Sequence, residues 1–494
     1  MQKAAIIGAG PAGLTAAYIL SKHGLPVTVL EQDPEYVGGL SRTIQYNGFY
    51  FDIGGHRFFS KSKEVEDFWM EILPDDMLER RRSSRIFYDG RFYSYPLKPL
   101  EALLKLGPLE ATRCALSYLK ASWSPRSPTR SFEDWVINQF GERLFRIFFK
   151  TYTEKVWGMD CNQISADWAA QRIQGMSLAS AFKHAMSPKW GLKNRRNVAK
   201  SLVNRFWYPR RGPGMMWEAC AAKTRTMGGA VLMGRSVNQC IYDDQERTWT
   251  VSCQSPDGVT LLKTEHVISS APIRELIDGL RPKPPATVLH AADSLRYRDF
   301  LTVVLILKDT HLFSDNWIYI HDPAVKVGRI QNYKSWSPEM VPDPAYCCYG
   351  LEYFCFEGDG LWSASDHDLI QLGTRELQKI GLAPNTDVID GCVIRQPKAY
   401  PVYDDTYAKN VAIIREEIDR NYPGLHLVGR NGMHKYNNQD HAIMTAMLTS
   451  QNIIQDRRVY DVWRVNQDAE YTESGFPGVE SVNGLRAVPT RVTS

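Results

Sequence analysis

The first 31 residues constrain the fold more strongly than any other part of this chain of 494 residues. Residues 4–7, with the sequence AAII, are typical of a buried parallel strand. The alanine-rich run of residues 14–23 favours a helix, and Gly24 is a C-terminal cap for it. Residues 26–30 predict a second strand, closed by Glu31. The pattern predicts a β-α-β unit.

The turn between this strand and helix has the spacing GxGxxG. Gly8 permits a tight turn, Gly10 lets the backbone approach a pyrophosphate, and Gly13 lets the helix and the strand pack closely. Amide groups at the helix start point at the phosphates. Glu31 follows the last of these glycines by 18 residues and is placed to accept hydrogen bonds from ribose hydroxyls. Together these features predict a dinucleotide-binding site.

Composition and cysteine usage narrow the class of protein. Hydrophobic residues make up 44% of the chain and charged residues 23%, which excludes a mostly disordered chain, a collagen and a disulfide-rich scaffold. The nine cysteines contain no CxxC pair and no zinc spacing, so we expect reduced thiols and no metal site. The uncharged residues 4–21 are interrupted by glycines and a proline, so we expect no membrane span there. A cytoplasmic protein is predicted, or one peripheral at the inner face of the membrane.

The charge of the chain is small but unevenly distributed. A net charge of +4 does not favour nucleic acid as a partner. Residues 168–217 contain no acid, and the rest of the chain has 59 − 10 = 49 basic against 55 acidic residues. This basic block is interpreted in three ways: a solvated helix face, a site for a pyrophosphate-bearing substrate, or a contact with an anionic membrane. Its ten cations are Arg172, Lys183, Lys189, Lys193, Arg195, Arg196, Lys200, Arg205, Arg210 and Arg211.

Two paired-glycine elements follow the second strand, at residues 38–42 (GGLSR) and 51–56 (FDIGGH). Paired glycines let backbone lie against a flat ring or a phosphate. With these elements the sequence resembles the flavoprotein superfamily of amine oxidases, protoporphyrinogen oxidase, phytoene desaturases and UDP-galactopyranose mutase. In that superfamily GxGxxG, a distal acid and a GG-x-S/R element hold FAD. The resemblance therefore implies FAD as the cofactor.

The C-terminal part of the chain extends this resemblance. Residues 425–430 predict a strand that runs into a turn, and a helix follows, with Asn437 or Asn438 as its N-cap. In the superfamily the N-terminus of this helix points at the flavin pyrimidine ring. The motif and the resemblance together predict these cofactor-binding residues: Gly8, Gly10, Gly13, Glu31, Gly39, Ser41, Gly54, Gly55, His56, Val237, Gly429, Arg430, Asn438 and Gln439.

Four segments, at residues 88–96, 148–158, 399–405 and 429–440, are similar to UDP-galactopyranose mutase. This likeness implies four candidate catalytic residues. Arg430 and Tyr436 match groups at the diphosphate and flavin site, Tyr400 matches a diphosphate-contacting tyrosine, and His56 matches a histidine beside the isoalloxazine ring.

The sequence also departs from the mutase pattern. Met176 stands for the second arginine of the mobile loop, and Asn438 for a carboxylate. These departures put uridine recognition in doubt.

The predicted fold class is α/β, with a Rossmann-like FAD-binding domain, a mixed α+β substrate domain and a helical insertion. The FAD-binding domain is expected to be discontinuous. A mostly helical cap region contains the basic block, and a β-rich substrate domain and a surface tail complete the chain. The FAD-binding domain is predicted to comprise residues 1–75, 225–275 and 385–460. The cap region is predicted at residues 76–224, the β-rich substrate domain at 276–384 and the surface tail at 461–494.

The predicted function is that of an FAD-dependent flavoenzyme acting on a nucleotide-linked or lipid-linked sugar, by mutase or redox chemistry, in glycan or natural-product biosynthesis. The alternative is an FAD-dependent oxidoreductase of the amine oxidase, protoporphyrinogen oxidase or desaturase type, acting on an apolar or amine substrate. A third interpretation is a flavin-independent binding protein similar to GDP-dissociation inhibitors. The expected partner is an anionic small molecule, a sugar nucleotide or a polyprenyl phosphate-linked sugar, with NAD(P)H as a reductant. The oligomeric state stays open.

Overall fold

The computed structural model describes residues 2–166, 205–311, 313–383 and 388–466. Seven of the ten cations of the basic block, Met176 and most of the predicted surface tail lie outside these ranges. Of the three described cations, Arg205 and Arg210 form ion pairs with acids, and Arg211 lies 5.9 Å from the ring centroid of Tyr50.

The strands are numbered in chain order. They are β1 (Gln2–Ile7), β2 (Val27–Leu30), β3 (Thr43–Tyr46), β4 (Phe49–Asp52), β5 (Met77–Arg81), β6 (Ser84–Tyr88), β7 (Arg91–Ser94), β8 (Arg205–Pro209), β9 (Ala230–Leu232), β10 (Ser236–Asp243), β11 (Thr248–Ser255), β12 (Gly258–Ser269), β13 (Leu280–Arg281), β14 (Tyr297–Lys308), β15 (Trp317–Ile320), β16 (Arg329–Asn332), β17 (Tyr346–Cys355), β18 (Val388–Pro401) and β19 (Leu425–Leu427).

The helices of the described residues are numbered in the same way. They are α1 (Pro11–Lys22), α2 (Lys63–Ile72), α3 (Pro99–Leu106), α4 (Pro108–Trp123), α5 (Phe132–Phe140), α6 (Glu142–Phe145), α7 (Thr151–Trp157), α8 (Gly214–Thr226), α9 (Ile273–Gly279), α10 (Ala286–Asp293), α11 (Tyr333–Trp336), α12 (Asp366–Lys379), α13 (Tyr407–Asn421) and α14 (Gln439–Ile454). Residues 146–150 form a π-helical turn between α6 and α7.

The first sheet has the strand order β13-β10-β11-β12-β1-β2-β9, and β19 also pairs with β12. Its centre is parallel, because β1 pairs in parallel with both β12 and β2. The predicted strand-helix-strand unit is confirmed as β1, α1 and β2. Small alanines on α1 are buried and allow close packing against α14. Segments from the beginning, the middle and the end of the chain thus build one sheet.

The second sheet has the order β18-β14-β17-β16-β15-β6-β7. Its central strand β14 contains the predicted apolar strand at residues 301–307 and is buried along most of its length. Helix α12 packs on this sheet with buried Leu369 and Leu377. The second sheet therefore has its own apolar core.

Two segments differ from the predicted domain map. Strand β18 pairs with β14 in the second sheet, whereas residues 385–460 were assigned to the FAD-binding domain. Strands β5, β6 and β7 occupy residues 77–94, at the start of the region expected to be mostly helical. Both segments are half-buried strands whose place depends on long-range pairing, which local periodicity does not encode. The domain boundaries themselves stay a prediction.

Helices α3 to α7 form the helical part of the cap region. They share one apolar cluster with residues of the second sheet, including Phe300 and Tyr400. Helix α5 begins with a capping box, in which Ser131 and Asp134 satisfy each other's backbone N–H groups. Within the described residues, no helix has both the length and the apolar composition needed to cross a bilayer.

Candidate flavin site and active site

The glycine-rich turn has the geometry that its spacing predicts. Gly8 has a φ of +95°, a left-handed conformation that favours glycine. A Cβ atom on Gly13 would lie 1.9 Å from the carbonyl oxygen of Gly8, so only glycine lets α1 pack this close to the turn. From the position that a Cβ atom on Gly10 would occupy, the nearest atoms lie 3.9 Å away, on Gly38 and Gly39. The turn thus leaves open backbone at the start of α1.

Glu31 lies at the carboxyl end of β2 and is buried. Its Oε2 atom accepts a hydrogen bond from the backbone N–H of Ala9 at 2.6 Å, and its Oε1 atom accepts one from Asp33 at 2.9 Å. Burial raises the pKa of Glu31, and these two backbone N–H groups oppose that rise. Each carboxylate oxygen keeps lone-pair capacity for a ribose hydroxyl.

A cavity of about 570 Å³ runs from this turn to the start of α14. It is lined at one end by Glu31 and at the other by Asn438. A Cβ atom on Gly39, whose φ is +54°, would lie 3.3 Å from the Cα atom of Gly10, so a side chain there would fill the cradle between the two glycine elements. Eleven of the predicted cofactor residues line this cavity: Gly8, Gly10, Glu31, Gly39, Ser41, His56, Val237, Gly429, Arg430, Asn438 and Gln439.

The N-terminus of α14 forms the far end of this cavity. Of the two predicted N-caps, Asn438 is the one found, with extended backbone, and its N–H donates to Nδ1 of His441 at 3.2 Å. The side chain of Asn437 instead donates to the carbonyl of Gly429 at 2.9 Å and holds the preceding turn. The partial positive charge of the helix end favours an anionic group in front of it.

A smaller cavity of about 120 Å³ adjoins the first. Both cavities are lined by His56, Arg430, Asn438 and Gln439, so they meet at the N-terminus of α14. The smaller cavity is also lined by the predicted residues Gly54, Gly55, Tyr400 and Tyr436. The four candidate catalytic residues are therefore brought together at one place.

Arg430 and the two tyrosines form a compact group. The Tyr400 and Tyr436 rings are stacked, with centroids 5.5 Å apart and planes inclined by 16°. The Arg430 guanidinium lies 5.3 Å and 5.0 Å from these two centroids. Its Nε donates to the carbonyl of Asn437 at 2.8 Å, and its Nη1 donates to that of Ala399 at 3.0 Å. Backbone from two different segments thus fixes the direction of the guanidinium.

His56 is neutral in this site. Its Nε2 lies 2.8 Å from the carbonyl of Ile53, which assigns the proton to Nε2 as a donor. Burial, with a smaller contribution from the nearby charges of Arg430 and Arg329, lowers its pKa to about 4. At neutral pH the ring is an uncharged group beside the paired glycines Gly54 and Gly55.

The site prediction omitted Arg329, which lines the smaller cavity from β16. Its Nε and Nη2 atoms donate to Glu352 on β17, at 2.6–3.0 Å, and the Glu352 side chain is fully buried. Gln331 donates to the same carboxylate at 2.6 Å. One sequence signal was present: Glu352 is a charged residue inside the apolar strand β17, and a buried charge requires a partner.

Arg42, the last residue of the GGLSR element, was not among the predicted site residues. It lines the larger cavity, and its Nη1 donates to the carbonyl of Gly39 and to Gln396. No group of three or more His, Cys, Asp or Glu side chains in the described ranges is placed to hold a metal ion.

The fold and the two cavities define a class: a protein with a Rossmann-like domain that holds a dinucleotide along a β-α-β unit and presents it to a second cavity. The sequence profile of the flavin containing amine oxidoreductases matches residues 11–454. The chain belongs to this family and is a flavoenzyme that uses FAD, which confirms the predicted family, fold class and cofactor. The open glycine cradle, the acid at one end and the helix N-terminus at the other fit that cofactor.

Individual relatives show more than one activity. The dTDP-fucopyranose mutase of Escherichia coli is 28% identical over 34% of this chain and 44% of its own length, so the match spans under half of that mutase. Protoporphyrinogen oxidase 2, chloroplastic/mitochondrial, of Arabidopsis thaliana is 42% identical over 87% of this chain and 90% of its own length. A solved structure of reduced UDP-galactopyranose mutase has a TM-score of 0.80, with 21% identity, over 96% of this chain and 98% of the other. That last likeness concerns the fold.

Proposed function

We propose that this flavoenzyme acts on a sugar carried by an anionic group, either a nucleotide diphosphate or a polyprenyl phosphate, in glycan or natural-product biosynthesis. One observation carries the proposal. Four cationic side chains line the smaller cavity, namely Arg57, Lys61, Arg329 and Arg430, against one acid, Asp440. Among the side chains named here, with Glu352 added because it pairs with Arg329 from behind the cavity wall, the excess of positive charge is 4 − 2 = 2.

This charge distribution favours a phosphate over an amine. A protonated amine in a cavity of about 120 Å³ would lie close to several cations, whose repulsion is strong where water is excluded. A phosphate or diphosphate group would gain charge-assisted hydrogen bonds from the same side chains. Asn438 adds to this preference, because a carboxylate in its place would bring a negative charge to the junction of the two cavities.

The roles of the candidate residues follow from their contacts, and we propose them on that basis. Arg430 orients the anionic group, because two backbone carbonyls already fix its guanidinium. The stacked rings of Tyr400 and Tyr436 form a rigid wall, and their hydroxyls are suited to donate to a phosphate or sugar oxygen. Trp157, in one of the mutase-like segments, lies 6.1 Å from Tyr436 and supports that wall.

The protein also prepares the flavin end of the site. Bound FAD supplies hydride acceptance or, in its reduced form, a nucleophile. The N-terminus of α14 stabilises negative charge at the junction of the two cavities, because its backbone N–H groups point there. Neutral His56 keeps its proton on Nε2 and donates it to the carbonyl of Ile53, so it positions the Gly54–Gly55 turn and adds no charge to the site.

A substrate screen with oxidised and dithionite-reduced enzyme in parallel tests the proposal. Sugar nucleotides and polyprenyl-phosphate sugars form one panel, and amines and porphyrinogens form the other. Turnover of an anionic sugar only by the reduced enzyme, without reoxidation, indicates mutase chemistry. Bleaching of the oxidised flavin by an anionic sugar indicates net redox chemistry on the same substrate class. Bleaching by an amine or a porphyrinogen, without turnover of any anionic sugar, would contradict the proposal.

A second candidate is a redox enzyme acting on an apolar substrate. The observation in its favour is the aromatic part of the smaller cavity, where Phe59 and Phe300 stand beside the two tyrosines. Such a substrate would bleach the oxidised flavin and would not require prior reduction of the enzyme, and its KM would be insensitive to ionic strength. An anionic substrate predicts the opposite salt dependence, because the cations of the cavity are screened by salt.

The remaining assignments are proposals of the same kind. NAD(P)H is proposed as the reductant in the mutase case. A cytoplasmic location is proposed, with peripheral contact at the inner face of the membrane in the case of a lipid-linked substrate. The discontinuous FAD-binding domain, with the first sheet as its centre, stays part of the proposal, except that β18 pairs in the second sheet.

A further inference from the structure

An unusual apolar surface lies on α3 and α4. Ten large hydrophobic side chains in the described residues are exposed, and five of them fall within residues 104–123. We call these five the α3–α4 face: Leu104, Leu109, Leu116, Leu119 and Trp123, with exposed fractions of 73%, 67%, 62%, 45% and 85%. Single exposed apolar residues are normal on a protein surface, whereas a cluster of this kind marks a binding surface.

The spacing of these residues places them on one side of α4. Leu109, Leu116, Leu119 and Trp123 follow one another at intervals of seven, three and four residues, which is the repeat of a helix face. The opposite side of α4 carries its buried residues Cys114 and Ala121 and packs against α5 and α6. The helix therefore already has its core contact, and the outer stripe is additional.

The segment that carries this stripe is rich in basic residues. Residues 98–130 contain six basic residues and two acids, a net charge of +4, which equals the net charge of the whole chain. Both acids are in ion pairs, Glu101 with Lys105 and Glu110 with Arg113 and Arg143. One of the cations, Arg126, pairs with Glu133 and Asp134, which lie just after this range. The six cations are Lys98, Lys105, Arg113, Lys120, Arg126 and Arg130. A stripe of leucine and tryptophan flanked by lysine and arginine is the composition of a helix that lies in a membrane interface.

The α3–α4 face belongs to the same lobe as the smaller cavity. Ala102, Leu103 and Leu106 of the same helix pair pack into the apolar cluster that also contains Tyr400 and Tyr436. Contact of this face with a surface would therefore hold the cavity close to that surface.

We infer that the α3–α4 face docks on an anionic lipid bilayer, with α4 lying in the headgroup region and its leucine and tryptophan side chains entering the acyl boundary. Helix α4 has 16 residues, a length of about 24 Å, which is suited to lie along the interface. A second copy of the chain is disfavoured as the occupant, because two such faces would bring their positive charges together. The further idea that docking presents the cavity to a polyprenyl-phosphate substrate rests on the proposed function. The docking itself does not rest on it.

Vesicle co-sedimentation of the full-length, FAD-loaded protein tests the inference. The probes are vesicles of phosphatidylcholine alone and vesicles in which a third of the lipid is phosphatidylglycerol. Wild type should bind the anionic vesicles, and binding should weaken at high salt. The double variant L116Q/W123Q should bind at least about tenfold more weakly, because it loses two interfacial anchors. K120Q should reduce binding about fivefold, as expected for the loss of one basic residue near the surface.

The matched control is V259Q/L261Q on β12, whose two side chains are 61% and 65% exposed and lie in the first sheet, outside the α3–α4 face. It should bind like wild type. The inference is overturned if wild type binds neither kind of vesicle, or if L116Q/W123Q binds as well as wild type. It is equally overturned if L116Q/W123Q converts a dimer to a monomer or lowers the melting temperature by several degrees, because the face would then be covered by protein.

Activity separates this inference from the proposed function. Loss of vesicle binding in L116Q/W123Q with normal turnover of a soluble sugar nucleotide supports docking, whatever the natural substrate is. A protein that docks and yet turns over only amines would refute the proposed function and leave the docking intact.

Discussion

Gly10 and Gly13 lie three residues apart, and we expect their alanine variants to fail in different ways. For Gly13→Ala the structure gives the size of the clash. The new Cβ atom would stand 1.9 Å from the Gly8 carbonyl oxygen, whereas an ordinary contact begins at 3.4 Å, so α1 must move by 3.4 − 1.9 = 1.5 Å. Because α1 is packed between the first sheet and α14, this movement disturbs both contacts.

The expected cost of Gly13→Ala is a loss of folding stability. Overpacking against backbone costs about 3 kcal/mol, at the upper end of the usual range. Replacing glycine by alanine within a helix returns about 1 kcal/mol. The net decrease in the free energy of unfolding is therefore about 2 kcal/mol, and it should be present in the apo-protein.

Gly10→Ala should leave folding intact and weaken cofactor binding. Its Cβ atom would meet the nearest protein atoms at 3.9 Å, so the apo-protein has no reason to unfold. The methyl group stands where the pyrophosphate approaches the backbone, and the loss of one charge-assisted hydrogen bond costs about 1.5–3 kcal/mol. The Kd for FAD should rise about 10- to 150-fold.

Two measurements separate these variants: chemical denaturation of the apo-proteins and titration of FAD by flavin fluorescence. Gly360→Ala is the matched control, because no heavy atom lies within 4 Å of the Cβ position there, and it should behave like wild type in both. Wild-type FAD affinity in Gly10→Ala would refute the proposed position of the pyrophosphate. Wild-type stability in Gly13→Ala would refute the close packing of α1 on the turn.

Three further predictions concern the second cavity and the buried histidines. Arg430→Lys should keep the fold and reduce kcat/KM by about tenfold or more, because lysine cannot reproduce the fixed fork of the guanidinium. The control is Arg395→Lys, which should leave kcat/KM unchanged, because Arg395 is also held by backbone carbonyls but lies outside the two cavities. Glu352→Ala should lower the free energy of unfolding by about 3–5 kcal/mol, because it leaves the Arg329 charge buried and unpaired. Asp315→Ala should lower it less, because its partner Arg85 is 37% exposed and water can solvate that charge. Equal losses in the two variants would contradict this reasoning. Burial lowers the pKa of His56 and His434 to about 4 and of His321 and His426 to about 3. Below about pH 6.5 the unfolded chain therefore binds more protons than the folded one. The free energy of unfolding should decrease as the pH is lowered, by up to about 1.4 kcal/mol per histidine per pH unit. Denaturation at pH 7 and 5.5 checks the sign, and His56→Gln should show a smaller pH dependence than wild type.

The parts of the fold that the sequence predicted well depend on local geometry. The spacing from Gly8 to Glu31 specifies one strand, one helix and a second strand without reference to the rest of the chain. The cap of α14 is equally local, since Asn438 and His441 are three residues apart. Such signals operate within one or two turns of backbone, and distant contacts do not alter them.

The parts that the sequence did not predict depend on register between distant strands. Arg329 faces Glu352 because β16 and β17 pair antiparallel with these two residues directly opposite each other. A shift of one residue would turn one of the two side chains to the other face of the sheet. The resemblance in turn predicted Arg430, Tyr400 and Tyr436, but not that both rings would stack beneath one guanidinium.

The order of strands in the first sheet has a consequence for biosynthesis. In the described residues, β1 pairs in parallel with β2 and β12, and β12, which ends at residue 269, leaves the ribosome long after β2. β19 and α14, which ends at Ile454, emerge later still, although α14 packs directly on the first helix. We therefore expect FAD to be captured only after β19 and α14 have left the ribosome, so that translation arrested before residue 425 yields a chain unable to retain flavin.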